Sequence, residues 1–398
     1  MSGPQRAANP GRLAAAGLSA LGLLLPAAAQ ATVAAQPTVW TFSSASTESL
    51  QQLINGAAAG DTIDITAGTY FGQTATIDTP LTITGHGGMA TLDAVAANGT
   101  NAVETGNQMG ILVINANVTI QNLVLENAVA DTASNNGAGI RYQAGNLTID
   151  NSQFLNNQDG ILATPNVYGT GTVEVSHSTF DGNGVASGPG AGYAHALYAN
   201  HVALLQVTDS SFTNTQQGHD IKSRAADSII KNNYLEDGVT GTASYAIDLS
   251  NGGNATISGN TIDQGPNTTN WSMIAYDSEG LVYAQNNATI DNNVFNNEVV
   301  NNASIADATG VMDFASTRGD TGSVLTVSGN TFSGVANPVC GGPAVVGSNT
   351  YLAAPPSTCA AVPAPVPAPP GLAVVATGLL PVLLARRWRP IDAGRTGA

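Results

Sequence analysis

Between residues 118 and 332 the chain repeats one short phrase: two apolar residues flanking a polar one, a turn rich in Asn, Gly and Ser, then a large apolar residue five positions after the second apolar one. Val118-Thr119-Ile120 leads to Leu125, Leu147-Thr148-Ile149 to Phe154, Val173-Glu174-Val175 to Phe180, and Leu205-Gln206-Val207 to Phe212. Ser228-Ile229-Ile230 leads to Leu235, Ala255-Thr256-Ile257 to Ile262, Ala288-Thr289-Ile290 to Phe295, and Leu325-Thr326-Val327 to Phe332. Successive copies lie 29, 26, 32, 23, 27, 33 and 37 residues apart. A period that drifts but stays above 20 is the signature of a solenoid. In a strand the outer residues of each triplet face inward and the middle one outward. Asn and Gly tolerate the left-handed conformations that sharp corners need. The pairs Asn156-Asn157, Asn232-Asn233 and Asn292-Asn293 are placed to bond along the stack. No 3.6-residue apolar period runs through this region, which disfavours helical repeats, and a propeller would carry a different signature.

The entry to the array differs. Thr47–Gly56 carries an apolar Leu50/Leu53/Ile54 face, with Ser and Thr before it to cap a helix and Gly56 to end it. Such a helix covers the open end of a stack. Gly60-Asp61-Thr62-Ile63, Ala67-Gly68-Thr69-Tyr70 and Leu81-Thr82-Ile83-Thr84-Gly85 follow. Together with Leu50-Gln51-Gln52-Leu53-Ile54, this resembles the opening of right-handed parallel β-helix proteins of the pectate-lyase-like class. The resemblance implies an all-β, single-stranded right-handed parallel β-helix over residues 39–338 with a short N-terminal capping helix. Residues 339–361 then form a C-terminal cap. The fold carries lyases, hydrolases, adhesins and epimerases, so it does not assign a function.

Charge narrows the partners. Among 398 residues there are 27 acidic and 11 basic side chains, and charged residues make up only 10%, against about 25% in a typical domain. Two basic residues lie before residue 30 and four after residue 385, which leaves Arg141, Lys222, Arg224, Lys231 and Arg318 facing 26 carboxylates. A body with an excess of 21 negative charges repels nucleic-acid phosphates. An anionic partner would need a local basic spot or bridging cations.

Both ends read as addresses. Arg6 and Arg12 precede the apolar run 13–25, and Ala29-Gln30-Ala31 fits a small-residue cleavage site. This reads as a secretory signal peptide over residues 1–31; the alternative is a membrane span, for which the run falls short of the ~20 residues needed. At the other end, Val362-Pro363-Ala364-Pro365-Val366-Pro367-Ala368-Pro369-Pro370 is a Pro-rich spacer, followed by an apolar run to Ala385 and by Arg386-Arg387-Trp388-Arg389. That order resembles a PEP-CTERM cell-surface sorting signal, though Ala364 stands where the family has Glu and nine residues follow Arg389. The resemblance implies export in a Gram-negative bacterium and contact with extracellular polysaccharide; a plain C-terminal membrane anchor is the alternative. Cys340 and Cys359 are the only cysteines and in an exported protein read as one disulfide closing the end of the domain.

The candidate site is the one basic spot in the body. A second strand series precedes several triplets, with Ile140, Ile161, Leu197, Ile221, Ile247, Ile274 and Met312 inward, and Arg141, Leu162, Tyr198, Lys222, Asp248, Ala275 and Asp313 as an outward column. Within Gly218-His219-Asp220-Ile221-Lys222-Ser223-Arg224, alternation turns Asp220, Lys222 and Arg224 outward together. Tyr198 and Asn200 flank them on one side, Asp248 and Ser250 on the other, and Tyr245 would line the same groove. His195 and His219 match one coil apart and read as a stacked structural pair rather than a metal site, while His219, with Tyr198, Asp220, Tyr245 and Asp248, is a candidate for contact with substrate. Ile221-Lys222-Ser223 followed by Ile230 and Asn233 resembles the catalytic Lys strand of alginate lyases and chondroitinase B. That resemblance implies Lys222 as the base that removes a uronate C5 proton, with Arg224 as carboxylate binder. In that family an Arg one coil later supplies the acid, and Asp248 stands in its place here. Asp220, Asp248, Asp277 and Glu279 are candidate calcium ligands, Asp277 and Glu279 being the pair furthest along the chain.

Two functions remain open at this level. One is an exported protein that binds, and as a lyase or glycoside hydrolase cleaves, an acidic polysaccharide or exopolysaccharide. The other is a non-catalytic matrix or adhesin-like protein in which Lys222 and Arg224 form ion pairs only.

Overall fold

The computed structural model describes residues 36–104, 109–130, 136–188, 190–298 and 308–352. The segments read as signal peptide and sorting tail, and Cys359, lie outside the described residues. The chain opens with strand Val39–Phe42, followed by the α-helix Leu50–Gly56. Ser49 caps this helix in a capping box with Gln52, and Leu50 and Ile54 are buried against the first coil. From there the chain winds as a right-handed parallel β-helix. Each regular coil adds one strand to a ten-stranded sheet and two to a larger sheet that wraps the rest of the solenoid, 21 strands among the described residues. The coil Leu197–Ala199, Leu204–Thr208, Ser211–Thr213 is representative. All the pairings between these strands are parallel, at the ~4.8 Å spacing of neighbouring strands.

The triplets stack in register. Leu147 pairs with Val173, Val173 with Leu205, Leu205 with Ser228, Ser228 with Ala255, Ala255 with Ala288, and Ala288 with Leu325. Leu125, Phe154, Phe180, Phe212, Leu235, Ile262, Phe295 and Phe332 form a second inward column. Phe180 is sandwiched between Phe154 at 4.7 Å and Phe212 at 4.4 Å, ring planes nearly parallel. The polar Ser228 is tolerated inside because its hydroxyl meets Ser223 Oγ at 2.8 Å.

The corners explain the Asn-rich turns. Asn122, Asn151, His177, Asp209, Asn232 and Asn292 occupy the same corner with φ between 47° and 56°, and Gly259 and Gly329 fill it with φ near 70°. The next residue points inward and joins a buried ladder. Ser152, Ser178, Ser210, Asn233, Asn260, Asn293, Asn330 and Asn349 each receive a backbone N–H from the coil before, at 2.9–3.3 Å. In each Asn–Asn pair one residue makes the bend while the other satisfies backbone groups that the bend would leave unpaired. Asn157 and Asn183 form a shorter ladder at the following corner. Parallel pairing continues to Ala344–Val346 and Thr350–Leu352, through the stretch read as the cap.

The two sheets differ in a way that positions the site. The larger sheet alternates buried and half-exposed residues, as in Thr172–Ser176. The ten-stranded sheet is buried on both faces over most of its strands: Gly110–Ile114, Ala138–Tyr142, Asp159–Ala163, Ser272–Tyr276 and Thr309–Asp313 are buried throughout, whereas Tyr198 in Leu197–Ala199 stays half-buried. The outward column therefore exists but is covered. Its register also corrects one expectation. Val311, not Met312, pairs with Ile274, so the column runs Arg141, Leu162, Tyr198, Lys222, Asp248, Ala275, Met312, Cys340. The 37-residue gap to the last triplet hid this one-residue slip.

Candidate functional site

Lys222 and Asp248 are cross-strand neighbours in the outward column, with Tyr198 one coil before them. Lys222 Nζ lies 2.7 Å from Glu279 Oε1 and 3.5 Å from Asp248 Oδ2. Arg224 holds the other oxygen of Glu279 through Nη2. One carboxylate is thus gripped by both cations. Both cations sit near the Tyr198 ring, Lys222 Nζ 5.8 Å and Arg224 Cζ 5.5 Å from its centroid, a distance at which cation–π attraction operates. Lys222 is 3% exposed, whereas the Arg224 and Glu279 side chains keep 20% and 21% of their surface. The cluster has a buried base and a solvent-facing rim.

Asp248 is enclosed by donors. Ser250 Oγ donates to Oδ2 at 2.6 Å and Ser278 Oγ to Oδ1 at 2.7 Å. His219 Nε2 stands 3.5 Å from Oδ2. The tautomer follows from the backbone: Tyr245 N–H donates to His219 Nδ1 at 3.1 Å, so the ring proton sits on Nε2 and faces Asp248. His219 N–H donates in turn to His195 Nδ1 at 3.0 Å, and the two rings stack 4.7 Å apart. Burial, with Lys222 nearby, holds the His219 pKa well below its ordinary value; His195 is lowered likewise, by burial and then by His219. Both rings are buried, stacked and neutral, each accepting a backbone N–H at Nδ1.

The loop that carries Glu279 is fixed. Glu279 N–H donates to Ser250 O at 2.8 Å, Asn251 Nδ2 donates to Gly280 O at 2.9 Å, and Tyr283 Oη donates to Arg224 O. Ser278 and Tyr283 carry no sequence signal that ties them to this cluster: their loop varies from coil to coil.

Three expectations change. Asp220 does not share a face with Lys222. The backbone turns just before Ile221, where Gly218 packs so closely that a Cβ would lie 1.9 Å from Ala194 O. His219 stands at the cluster, and Asp220 is buried beside Asp237. Burial and then Asp237 push the Asp220 pKa well above the carboxylate range, and burial pushes Asp237 up to about 7. Tyr245 does not line a groove; it is 5% exposed in an apolar cluster with Ala275, Met312, Phe314 and Cys340, flanked by Trp271. The calcium candidates are dispersed. Asp248 and Glu279 are spent on Lys222, Arg224 and hydroxyls, Asp220 lies with Asp237, and Asp277 faces Arg318, Nε to Oδ1 3.9 Å. Among the described residues no group of three or more His, Cys, Asp or Glu side chains is arranged to hold a metal ion.

Coil geometry and the enclosed polar cluster define a right-handed parallel β-helix with a charged site on the outer side of its ten-stranded sheet. The family model described as "Right handed beta helix region" matches residues 166–354. Among solved structures, the chain is similar to an alginate lyase from Paenibacillus sp. str. FPU-7, at 15% identity and a TM-score of 0.52 over 79% of this chain and 98% of that one. A rice weevil pectin methyl esterase matches at 15% identity and a TM-score of 0.34, over 54% of this chain and 74% of that one. No curated protein matches the sequence. At this identity the first likeness speaks for the fold.

Proposed function

We propose that the protein is an exported polysaccharide-binding β-helix whose sugar site is the Arg224–Glu279 rim, with Tyr198 and Lys222 behind it. One observation carries this reading. Two of the few cations in an acidic body converge on a single carboxylate at a partly exposed position, a pairing of Arg224 as donor and Glu279 as acceptor that sugar hydroxyls can bridge. The likeness to an alginate lyase agrees with a carbohydrate partner. Residues 1–31 and 362–398 support a place outside a Gram-negative cell, at its surface or in its matrix.

Binding is favoured over β-elimination by the state of Lys222. Its Nζ donates to Glu279, is flanked by Asp248, and is almost wholly buried, so it is not placed within reach of a substrate's C5 proton. Asp248 also occupies the place where the family's acid would stand. The test is affinity electrophoresis of the purified protein through alginate, polygalacturonate, hyaluronan and a neutral galactomannan, with parallel recording of unsaturated-product absorbance. Retardation by at least one polymer, lost in Arg224→Ala and without product, is the expected result. Product formation that disappears in Lys222→Ala would restore the lyase role, and no retardation by any polymer would overturn the proposal.

A further inference from the structure

One exposed aromatic beside the cluster is held in place. Tyr168 is 63% exposed, and its ring stacks on His201 with centroids 4.6 Å apart and planes 17° from parallel. Single exposed apolar side chains need no explanation; a fixed one is different. The loop that carries Tyr168 is pinned along its length. Thr164 N–H donates to Tyr142 O at 2.9 Å, Asn166 N–H to Gln143 O at 2.8 Å, and Gly169 N–H to His201 O at 2.7 Å. Thr170 Oγ1 donates to Val167 O at 2.6 Å. His201 is fixed as well, its Nδ1 lying 2.6 Å from Asn200 Oδ1 and its backbone held at φ 53°.

The platform adjoins the cluster. Asn200 follows Ala199 as Arg224 follows Ser223, and Ala199 and Ser223 are paired in register. Burial and then Arg224 lower the His201 pKa, with Glu279 opposing, so the ring is neutral and lies within the field of the rim. The Tyr168 phenol is also close enough to contribute to raising the Tyr198 pKa, after burial and Glu279 and against Arg224.

We propose that Tyr168, backed by His201, is a stacking platform for the C–H face of a pyranose ring, adjacent to the sugar unit held at Arg224–Glu279. The platform rests on the reading of the rim as the sugar site. A flat, weakly hydrated face beside directional polar groups is the combination that orients a sugar: the ring face takes the apolar side, and the polar rim takes hydroxyls. Because loop and ring are already ordered, little conformational freedom is lost when a sugar lands on them.

The test compares Tyr168→Ala and Tyr168→Phe with Arg224→Ala and the wild type, each titrated with alginate, polygalacturonate, hyaluronan and galactomannan by affinity electrophoresis. Tyr168→Ala is expected to weaken retardation about three- to tenfold, and Tyr168→Phe, which keeps the ring, by less than about twofold. Both should melt with the wild type, since the ring is exposed. Unchanged binding in Tyr168→Ala, with binding lost in Arg224→Ala, overturns the platform and leaves the rim standing. No binding by the wild type to any of the four polymers overturns both.

Discussion

Replacing Lys222 by Met would measure how firmly the charged cluster is closed. The substitution keeps length and apolar stem but removes a hydrogen bond to Glu279 at 2.7 Å and the ammonium 3.5 Å from Asp248. Asp248 is 1% exposed and would keep only Ser250, Ser278 and the His219 N–H, with no cation. Removing one partner of a buried pair costs about 3–5 kcal/mol, because the remaining charge is left uncompensated. Glu279 is 21% exposed and retains Arg224, so the lower end applies, about 3 kcal/mol. Urea unfolding followed by circular dichroism gives the midpoint shift, and the slope must stay constant for the difference to be read as stability. Adding Asp248→Asn to Lys222→Met neutralises the orphaned carboxylate and should return at least half of the loss. A single variant within about 0.5 kcal/mol of wild type, the range of neutral surface changes, would refute the closed cluster. It would mean that Nζ is already solvated and available for chemistry.

Two further outcomes follow from the interior. Asn260 donates to Ile230 O and Asn293 Oδ1 and accepts from the Asn233 backbone and side chain, all at 2.9–3.0 Å; Asn260→Ala should cost roughly 3 kcal/mol by orphaning buried backbone groups, and a loss under 1 kcal/mol by denaturation would contradict a structural ladder. Burial pushes the Asp159 carboxyl up to about 7 from 3.8, against the His195 N–H and Arg141, which lower it. The folded chain thus holds a proton between pH 4 and 7 that the unfolded chain lacks, and this contribution to stability is lost as pH rises to about 7. Relative to wild type, Asp159→Asn should therefore gain stability steadily from pH 4 to 8, and a pH-independent difference in melting temperature would exclude a proton on Asp159.

The interior of this protein was legible in the sequence. The triplets, the large apolar residue five positions on and the Asn corners each repeat once per coil, and each inward residue meets its own counterpart one coil away. A period-2 pattern fixes which face is buried, and slipping a coil by one residue would turn every Val, Ile and Phe of that strand out of the core. The same periodicity places Lys222 beside Asp248 and Tyr198. The outer side of the ten-stranded sheet obeys no such rule. What covers it are loops that differ in length from coil to coil, and their contacts join residues tens of positions apart, such as Glu279 to Arg224 or Tyr168 to His201. Only the tertiary structure could decide that Asp220 is buried beside Asp237 while His219 stands at the cluster, or that Tyr245 is sealed under Phe314. It also decided that a glutamate from a later coil closes on the two cations. Stacking fixes what repeats; the irregular loops, whose contacts are non-local, fix the site.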